Sequence, residues 1–559
     1  MIFRYNVIKV LPLQSLIFNL QFSIFILLSL LFASCSLDEH PRDQIPEEDA
    51  YTTPEEIYKN TVLTLYNYIG GQEEGEGLQG TCRGVYDLQT FGSDEAMLPT
   101  RGGDWYDGNL WQDMYRHSWG PGLELAGRAW VYLYKVIALC NNSLEQLEAH
   151  KNVLSSVQMR EYRAEVRGLR AIYYWYLLDL FGRVPVIYSY NMPIEMVQQA
   201  ERSKVFEYVY NELMTVRDDL PYGHSANRGE FYGRITRSVV NFVLAKLALN
   251  TEVYADDDWT DGVRMNGSEL YFNILGQQLN AWQTAVFFCD EIEEENFNLE
   301  QDYSNNFIVY NESSTENIWV IPMDKDLYTA QQQNLIRSYH YRHAAAYGFT
   351  GENGSCATLH TLRVFGYDTE DEDSRFFLNY WDGEVLDLDY RQVLDREGKV
   401  LVYYPWKVEM DLSGSPYVET AGARMKKYQV DRNAILDGKL MDNDIVLFRY
   451  ADVLLMRAEA YLRNGEPEKG QADFDEVRQR AYMNPRPLTL DNIYDERLLE
   501  LCWEGWRRQD MIRFGKYESL FEGDEFDDKV DESDGHTTVY PIPSSVLALN
   551  KYLQQNKGY

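Results

Sequence analysis

Two acids one helical turn apart, Glu500 and Glu504 in DERLLELCWEGWRRQDMIRFG (495–515), are the kind of pair that could cleave a glycosidic bond. One carboxyl would protonate the leaving oxygen while the other attacked or activated water. Their neighbours argue for a different role. Arg497, Arg507, Arg508, Asp510 and Arg513 surround them, and Glu and Arg at spacings of three and four form ion pairs along helices. The spacing therefore predicts a charge-paired seam joining helices. The aspartate-rich ADDDWTDG (255–262) could bind calcium, but Asp261 stands where an EF-hand loop turns on glycine. A solvated loop is expected there. No GxSxG, HExxH or phosphate-binding glycine loop is present. His117 and His360 read as hydrogen-bonded structural residues. No catalytic residue, metal or cofactor is expected.

Binding chemistry is better represented. Sugars offer flat C–H faces and many hydroxyls, so a sugar site wants exposed aromatic platforms with amides, acids or Arg beside them. Ordinary loops do not cluster Trp, yet SDEAMLPTRGGDWYDGNLWQDMYRHSWGPG (93–122) holds Trp105, Tyr106, Trp111, Tyr115 and Trp119. Gly102, Gly103 and Gly108 permit unusual turns. Trp105 and Trp111 are the expected platforms, with Arg101 and Asp104 as polar partners and Tyr106 beside them. Trp119, next to a helix start, is expected to pack inside. A second glycine-rich stretch, HAAAYGFTGENGSC (343–356), offers Tyr347, Phe349, Glu352 and Asn353. Phe349 and Asn353 are the candidates there.

Charge and cysteine usage narrow the partners. The 559 residues carry 88 acids against 52 bases, a net charge of −36. Phosphate backbones would repel such a chain, which excludes nucleic acid as a partner. Residues 1–34 contain Arg4 and Lys9, no acid, and a nearly unbroken apolar run at 16–33. That is the pattern of a secretory signal. Phe32-Ala33-Ser34 before Cys35 resembles a bacterial lipobox, which implies acylation of Cys35 as the first residue of the mature chain. Asp38 and Glu39 resemble a surface-export tag. Residues 35–48 then read as a flexible tether, polar and proline-containing. Several acyl chains would hold it stably, whereas one holds only marginally. The other five cysteines are scattered without metal spacing, so free, mostly buried thiols are expected.

The elements that must position these residues are mainly helical. Apolar residues recur at steps of three and four over 123–149, 161–180, 203–220, 236–254, 280–295, 446–463, 468–482 and 491–514. In 161–180 the stripe Tyr162, Val166, Leu169, Tyr173, Tyr176, Leu177 and Leu180 makes one face. Around Gly465 and Pro467, a helix pair at 446–482 looks tetratricopeptide-like, with Gly470, Ala472 and Phe474 where its helices would touch. Residues 236–295 show a second pair with a long insertion. The middle, 297–445, is loop-rich with short β-like runs at 317–321 and 400–404. Nothing alternates like the strands of a membrane barrel.

In this order, several blocks resemble the SusD/RagB family of Bacteroidetes outer-membrane nutrient-binding lipoproteins. They include WVYLYKVIALCNNSLEQLE (130–148), AEVRGLRAIYYWYLLDLFGRVPVI (164–187), GRITRSVVNFVLAKLAL (233–249) and IVLFRYADVLLMRAEAYLRNG (445–465). The 495–515 block and the ending YPIPSSVLALNKYLQQNKGY (540–559) are the most specific. The resemblance implies a mainly α, SusD-like fold over 49–559, with a helical first half (49–296) and an irregular second half (297–559). It implies a non-catalytic, lipid-anchored protein facing outward from the outer membrane. Its partner would be a SusC-like TonB-dependent β-barrel, over which it acts as a hinged lid, delivering an oligo- or polysaccharide for import. Aromatic residues from N-terminal loops and a middle-region loop form the ligand surface in such proteins. RagB-like peptide capture, a surface-anchored glycoside hydrolase and a scaffold for surface enzymes are the competing readings.

Overall fold

Residues 50–327, 333–518 and 534–559 are described by the computed structural model. The expected signal segment, Cys35 and the expected tether to residue 48 lie outside them. Where apolar residues recur with the helical period, helices form. α1 (Glu124–Ala149) packs along α2 (Ser156–Phe181), which opens with a capping box. Ser155 Oγ accepts the Gln158 N–H at 3.2 Å, and the Gln158 side chain accepts the Ser155 N–H at 3.0 Å. Gly182, at φ +63°, ends α2. α3 (Arg202–Val216) also packs against α2. Every residue of α2 from Gly168 to Phe181 is buried. The stripe read from the sequence is thus part of a helix that is covered all round along its second half.

α4 (Arg237–Leu249) packs against α3 and pairs with α5 (Ala281–Glu293). The insertion between α4 and α5 contains a hairpin, Tyr271–Ile274 paired with Gln277–Asn280. The loop-rich middle follows, with short helices that include α6 (Tyr341–Tyr347). The stack then resumes with residues from far along the chain. α7 (Tyr450–Arg463) packs on α5 and on α8 (Pro467–Arg480). A Cβ on Gly470 would come within 2.8 Å of the Ala458 carbonyl oxygen, so glycine is what lets these helices approach. Phe474 and Val477 fill the same interface, but Ala472 points outward. Positions 470, 473/474 and 477 hold the helical period, and 472 falls off it.

Two helix expectations need correction. Residues 445–449 form a strand before α7 begins. With strands numbered along the chain, these are β1 (Ala96–Met97), β2 (Asn317–Ile321), β3 (Cys356–Ala357) and β4 (Ile445–Arg449). β4 runs antiparallel to β2, with Ile445 opposite Ile321 and Arg449 opposite Asn317, and both strands are wholly buried. A short, fully buried apolar run carries no period that separates strand from helix. The single helix expected over 491–514 is two, α9 (Leu490–Leu501) and α10 (Arg507–Arg513). Trp503 and Gly505 break it at φ +65° and +74°. β1 pairs with β3, and each sheet among the described residues has two strands. Cys140, Cys289, Cys356 and Cys502 are buried free thiols, and Cys82 is a half-buried one. Among the described residues no helix is long and apolar enough to cross a membrane.

The charged block around α9 and α10 is an ionic core. Arg449 reaches Glu316 at 2.7 Å, Glu500 at 2.5 Å and Glu504 at 2.8 Å. Arg375 and Arg480 also bind Glu500, and Lys427 binds Glu504 at 2.6 Å. Arg497 joins Asp452 and Asp510, and Arg513 joins Glu459 and Asp510. Arg507 and Arg508 cross to the first half of the chain, to Asp94 and Asp179. Burial alone would raise the Glu500 carboxyl, but Arg480, Arg449 and Arg375 together hold it well below the usual carboxylate range. Glu500 and Glu504 are therefore structural, as their neighbours predicted.

Candidate functional site

The tryptophan-rich loop displays its tip through a tight turn. Arg101 and Asp104 each donate a backbone N–H to the other's carbonyl, at 2.9 and 3.1 Å. Gly102 occupies the turn at φ +66°. Asp104 and Tyr106 are exposed and Trp105 is half-buried. Trp105 itself sits at φ +61°, where a Cβ costs about 1–2 kcal/mol. Its surroundings hold it there. The indole N–H donates to the Glu352 carbonyl at 3.0 Å, and the ring lies 6.2 Å from Trp111 in an edge contact. The Gly354 backbone lies against the indole, and a Cβ there would come within 2.7 Å of it. Gly354→Ala is expected to tilt this ring and weaken ligand affinity about tenfold, or about 1.4 kcal/mol. Calorimetry on the folded variant checks it, and unchanged affinity would refute the role given to Gly354.

Four of the expected ligand residues are placed inside. Trp111 is 1 % exposed, packs edge-on to Phe91 at 5.6 Å and donates its N–H to Asp107 at 2.9 Å. It is a pillar under the loop, because it opens the first turn of the helix Leu110–Arg116, whose inner face it fills. Arg101 is 4 % exposed and donates to the carbonyls of Gly354, Val418 and Ala421 at 3.2, 3.0 and 2.9 Å. It staples three loops together. Phe349 packs edge-on to Tyr339 at 5.2 Å. Asn353 is buried at φ +51° and gives its backbone N–H to the Tyr339 carbonyl. These four are buried and brace the loops around them. Trp119 is also inside, donating to the Tyr559 hydroxyl at 2.8 Å.

Other residues complete the surface. The Tyr341 hydroxyl, at the start of α6, donates to Asp104 Oδ2 at 2.5 Å. Burial and the Asp104 carboxylate push this phenol up, so it stays a donor. The Arg396 guanidinium lies 5.7 Å from the Tyr341 ring centre and 3.9 Å from Glu419. A groove of about 520 Å³ continues from here, lined by His340, Arg396, Tyr404, Tyr417, Val418 and Glu419 among others. Tyr404 and Tyr417 lie 5.0 Å apart, and Tyr404 is exposed. Burial pulls the His340 imidazole down to about 4; Arg424 and Arg101 add to this, while Glu419, 3.1 Å from its Nε2, opposes it. The ring is therefore neutral at pH 7. Sequence reasoning missed all of these. Tyr341 lies two residues before the stretch singled out, and Tyr404 ends a run read only as β-like.

The acids of the 255–262 stretch are engaged within the fold. Asp257 accepts the Ser203 N–H at 2.8 Å and so caps α3, while Asp256 pairs with Arg202 at 3.0 Å and Asp258 with Lys557 at 2.6 Å. His117 is bonded to the Gly92 carbonyl, and His360 lies 3.2 Å from Asp94.

The family model described as the SusD family matches residues 315–559, and one described as starch-binding associating with outer membrane matches 84–249. The starch-binding protein SusD of Bacteroides thetaiotaomicron is 25% identical over 538 residues, covering 88% of each chain. SusD-like protein P25 of Formosa agariphila is 23% identical over 544 residues, covering 89% of this chain and 90% of that one. Among solved structures, surface glycan-binding protein A from Bacteroides thetaiotaomicron in complex with laminarihexaose superposes with a TM-score of 0.68 at 20% identity. It covers 90% of this chain and 100% of that one. A laminarin binding SusD-like protein gives 0.68 at 21%, covering 91% and 100%. These likenesses establish the mainly α fold.

Proposed function

Because this chain belongs to the SusD family, we propose that it captures an oligo- or polysaccharide at the cell surface and hands it, uncut, to a SusC-like TonB-dependent barrel. The observation that carries this reading is Trp105 next to the Asp104–Tyr341 hydrogen bond, with Arg396 linking Tyr341 to an aromatic groove. An indole offers a flat face to a pyranose ring. A carboxylate already fixed by a phenol can accept sugar hydroxyls without first losing rotamer entropy. The starch- and laminarin-binding relatives support a glycan as cargo.

Binding without hydrolysis is supported by the ion pairs that lock Glu500 and Glu504, the acids best spaced for cleavage. Acylation of Cys35 would tether the protein outside the outer membrane, free to swing as a lid. The test is a panel of polysaccharides in affinity gels and calorimetry, with reducing ends assayed in the same tubes. Retention of at least one glycan, with no reducing ends released, is expected. Failure to retain any glycan, or steady release of reducing ends, would overturn the reading.

A further inference from the structure

Buried cations in this molecule are almost all matched by a carboxylate. Arg170, Arg202 and Arg217 each have one within 4.0 Å, as do Arg337, Arg375, Arg449 and the buried arginines of the second half from Arg457 onward. The buried lysines, Lys246 and Lys427, are matched too. Among the described residues, two buried arginines break the pattern, Arg101 and Arg424. Arg101 has carbonyl acceptors and the Cys356 sulfur at 3.7 Å. Burial pushes that thiol up, so it stays neutral. Arg424 donates to the carbonyls of Ser338 and Glu419, at 3.2 and 3.0 Å, and lies 5.1 Å from the centre of the Tyr403 ring. Its Nε has no hydrogen-bond partner.

The two unmatched guanidiniums share one place. Val418 and Glu419, whose carbonyls they hold, line the groove that Arg396 links to Tyr341. Burial and then Arg424 lower the pKa of Arg101, burial lowers that of Arg424, and both guanidiniums lower that of His340 at the groove wall. In a chain of net charge −36, a carboxylate could readily have been placed opposite them. Two buried positive charges without one make a local field that favours a negative group in the groove. Arg396, exposed on the rim above Tyr341, could contact such a group directly. Three acids also line the groove: Glu397 is paired with Lys399 at 2.6 Å, Asp395 accepts the backbone N–H groups of Glu397 and Lys399 in its own turn, and Glu419 is drawn aside toward His340 and Arg396.

We infer that the groove selects a glycan bearing an anionic group on its ring, a uronate carboxylate or a sulfate ester, over a neutral one. This rests on the glycan-binding reading and adds the charge of the ligand. The test is calorimetry on the full mature protein with oligosaccharides of matched length: a neutral glucan, an oligogalacturonate and a sulfated galactan. At least one acidic class is expected to bind about tenfold or more tightly than the neutral one at low salt. The gap should shrink on going from about 20 mM to about 500 mM NaCl, as screening weakens the field. Arg396→Gln should narrow the gap, and Trp105→Ala should weaken the acidic ligand too. A neutral glycan bound as tightly as the acidic ones, independent of salt, overturns the charge inference and leaves glycan binding standing. Acidic binding untouched by Trp105→Ala puts the anion elsewhere and also overturns it. If no oligosaccharide binds, whatever its charge, the parent reading falls and takes this one with it.

Discussion

Replacing Trp105 with alanine is expected to cost 50- to 100-fold in glycan affinity while leaving the protein folded. Stacking one sugar ring on the indole would remove roughly 100 Å² of apolar surface from water, worth about 2.5 kcal/mol. That is about the stated factor in affinity. The variant also loses the N–H donated to the Glu352 carbonyl, so some loosening of the 343–356 loop should accompany it. Trp105→Phe separates the two contributions, because it keeps a flat apolar face and gives up only the donor. Its affinity should fall between the parent and the alanine variant. Calorimetry with a glycan that the parent retains, alongside circular dichroism, is the measurement. Affinity within about twofold of the parent for Trp105→Ala would remove Trp105 from the site.

Arg449→Met is expected to destabilise the fold by about 3–5 kcal/mol, because it strands buried carboxylates that have lost their shared cation. Arg449 is 1 % exposed and touches Glu316, Glu500 and Glu504 together. With native domains stable by only about 5–15 kcal/mol, the variant should unfold at a much lower urea concentration. Adding Glu500→Gln to it should restore part of the loss, since the excess negative charge is then gone while Arg375 keeps Asp373 and Glu496 and Arg480 keeps Glu316. A destabilisation below about 1 kcal/mol would mean the seam contributes little. Acid acts on the same groups. Glu500 is held below its ordinary 4.5, so folded protein binds fewer protons there than unfolded protein does. Its contribution is present above that pH and is lost as pH falls through the depressed folded value.

The helices were readable in the sequence because their period is local. Ser155 and Gln158 announce α2, Gly182 ends it, and nothing distant is needed to see either signal. β4 was misread because IVLFR is apolar at each of its first four positions, and only its pairing with β2, more than a hundred residues earlier, makes it a strand. The site shows the same divide. Aromatic clustering singled out one loop, and Asp104, Trp105 and Tyr106 do come to its surface. Loops have no period, so nothing in the residue order said that Trp111 and Arg101 would turn inward. Tyr341, Arg396 and Glu419 belong to separate excursions of the chain. They meet Asp104 and one another only in three dimensions, through contacts spanning up to 237 positions.

The pairs that join Arg507 to Asp94 and Arg508 to Asp179 also set the order in which this protein can mature. The closing segment adds to them, with Tyr540 giving its hydroxyl to the Leu88 carbonyl and Asn556 its amide to Phe181. Until those stretches have been made, Asp94 and Asp179 lack their arginines, and the Leu88 and Phe181 carbonyls lack the donors that satisfy them. Contacts so remote along the polymer form slowly. A nascent chain would therefore stay open and vulnerable to proteases until residues 507–556 have been made, and a fragment that stops before Arg507 should not be capture-competent.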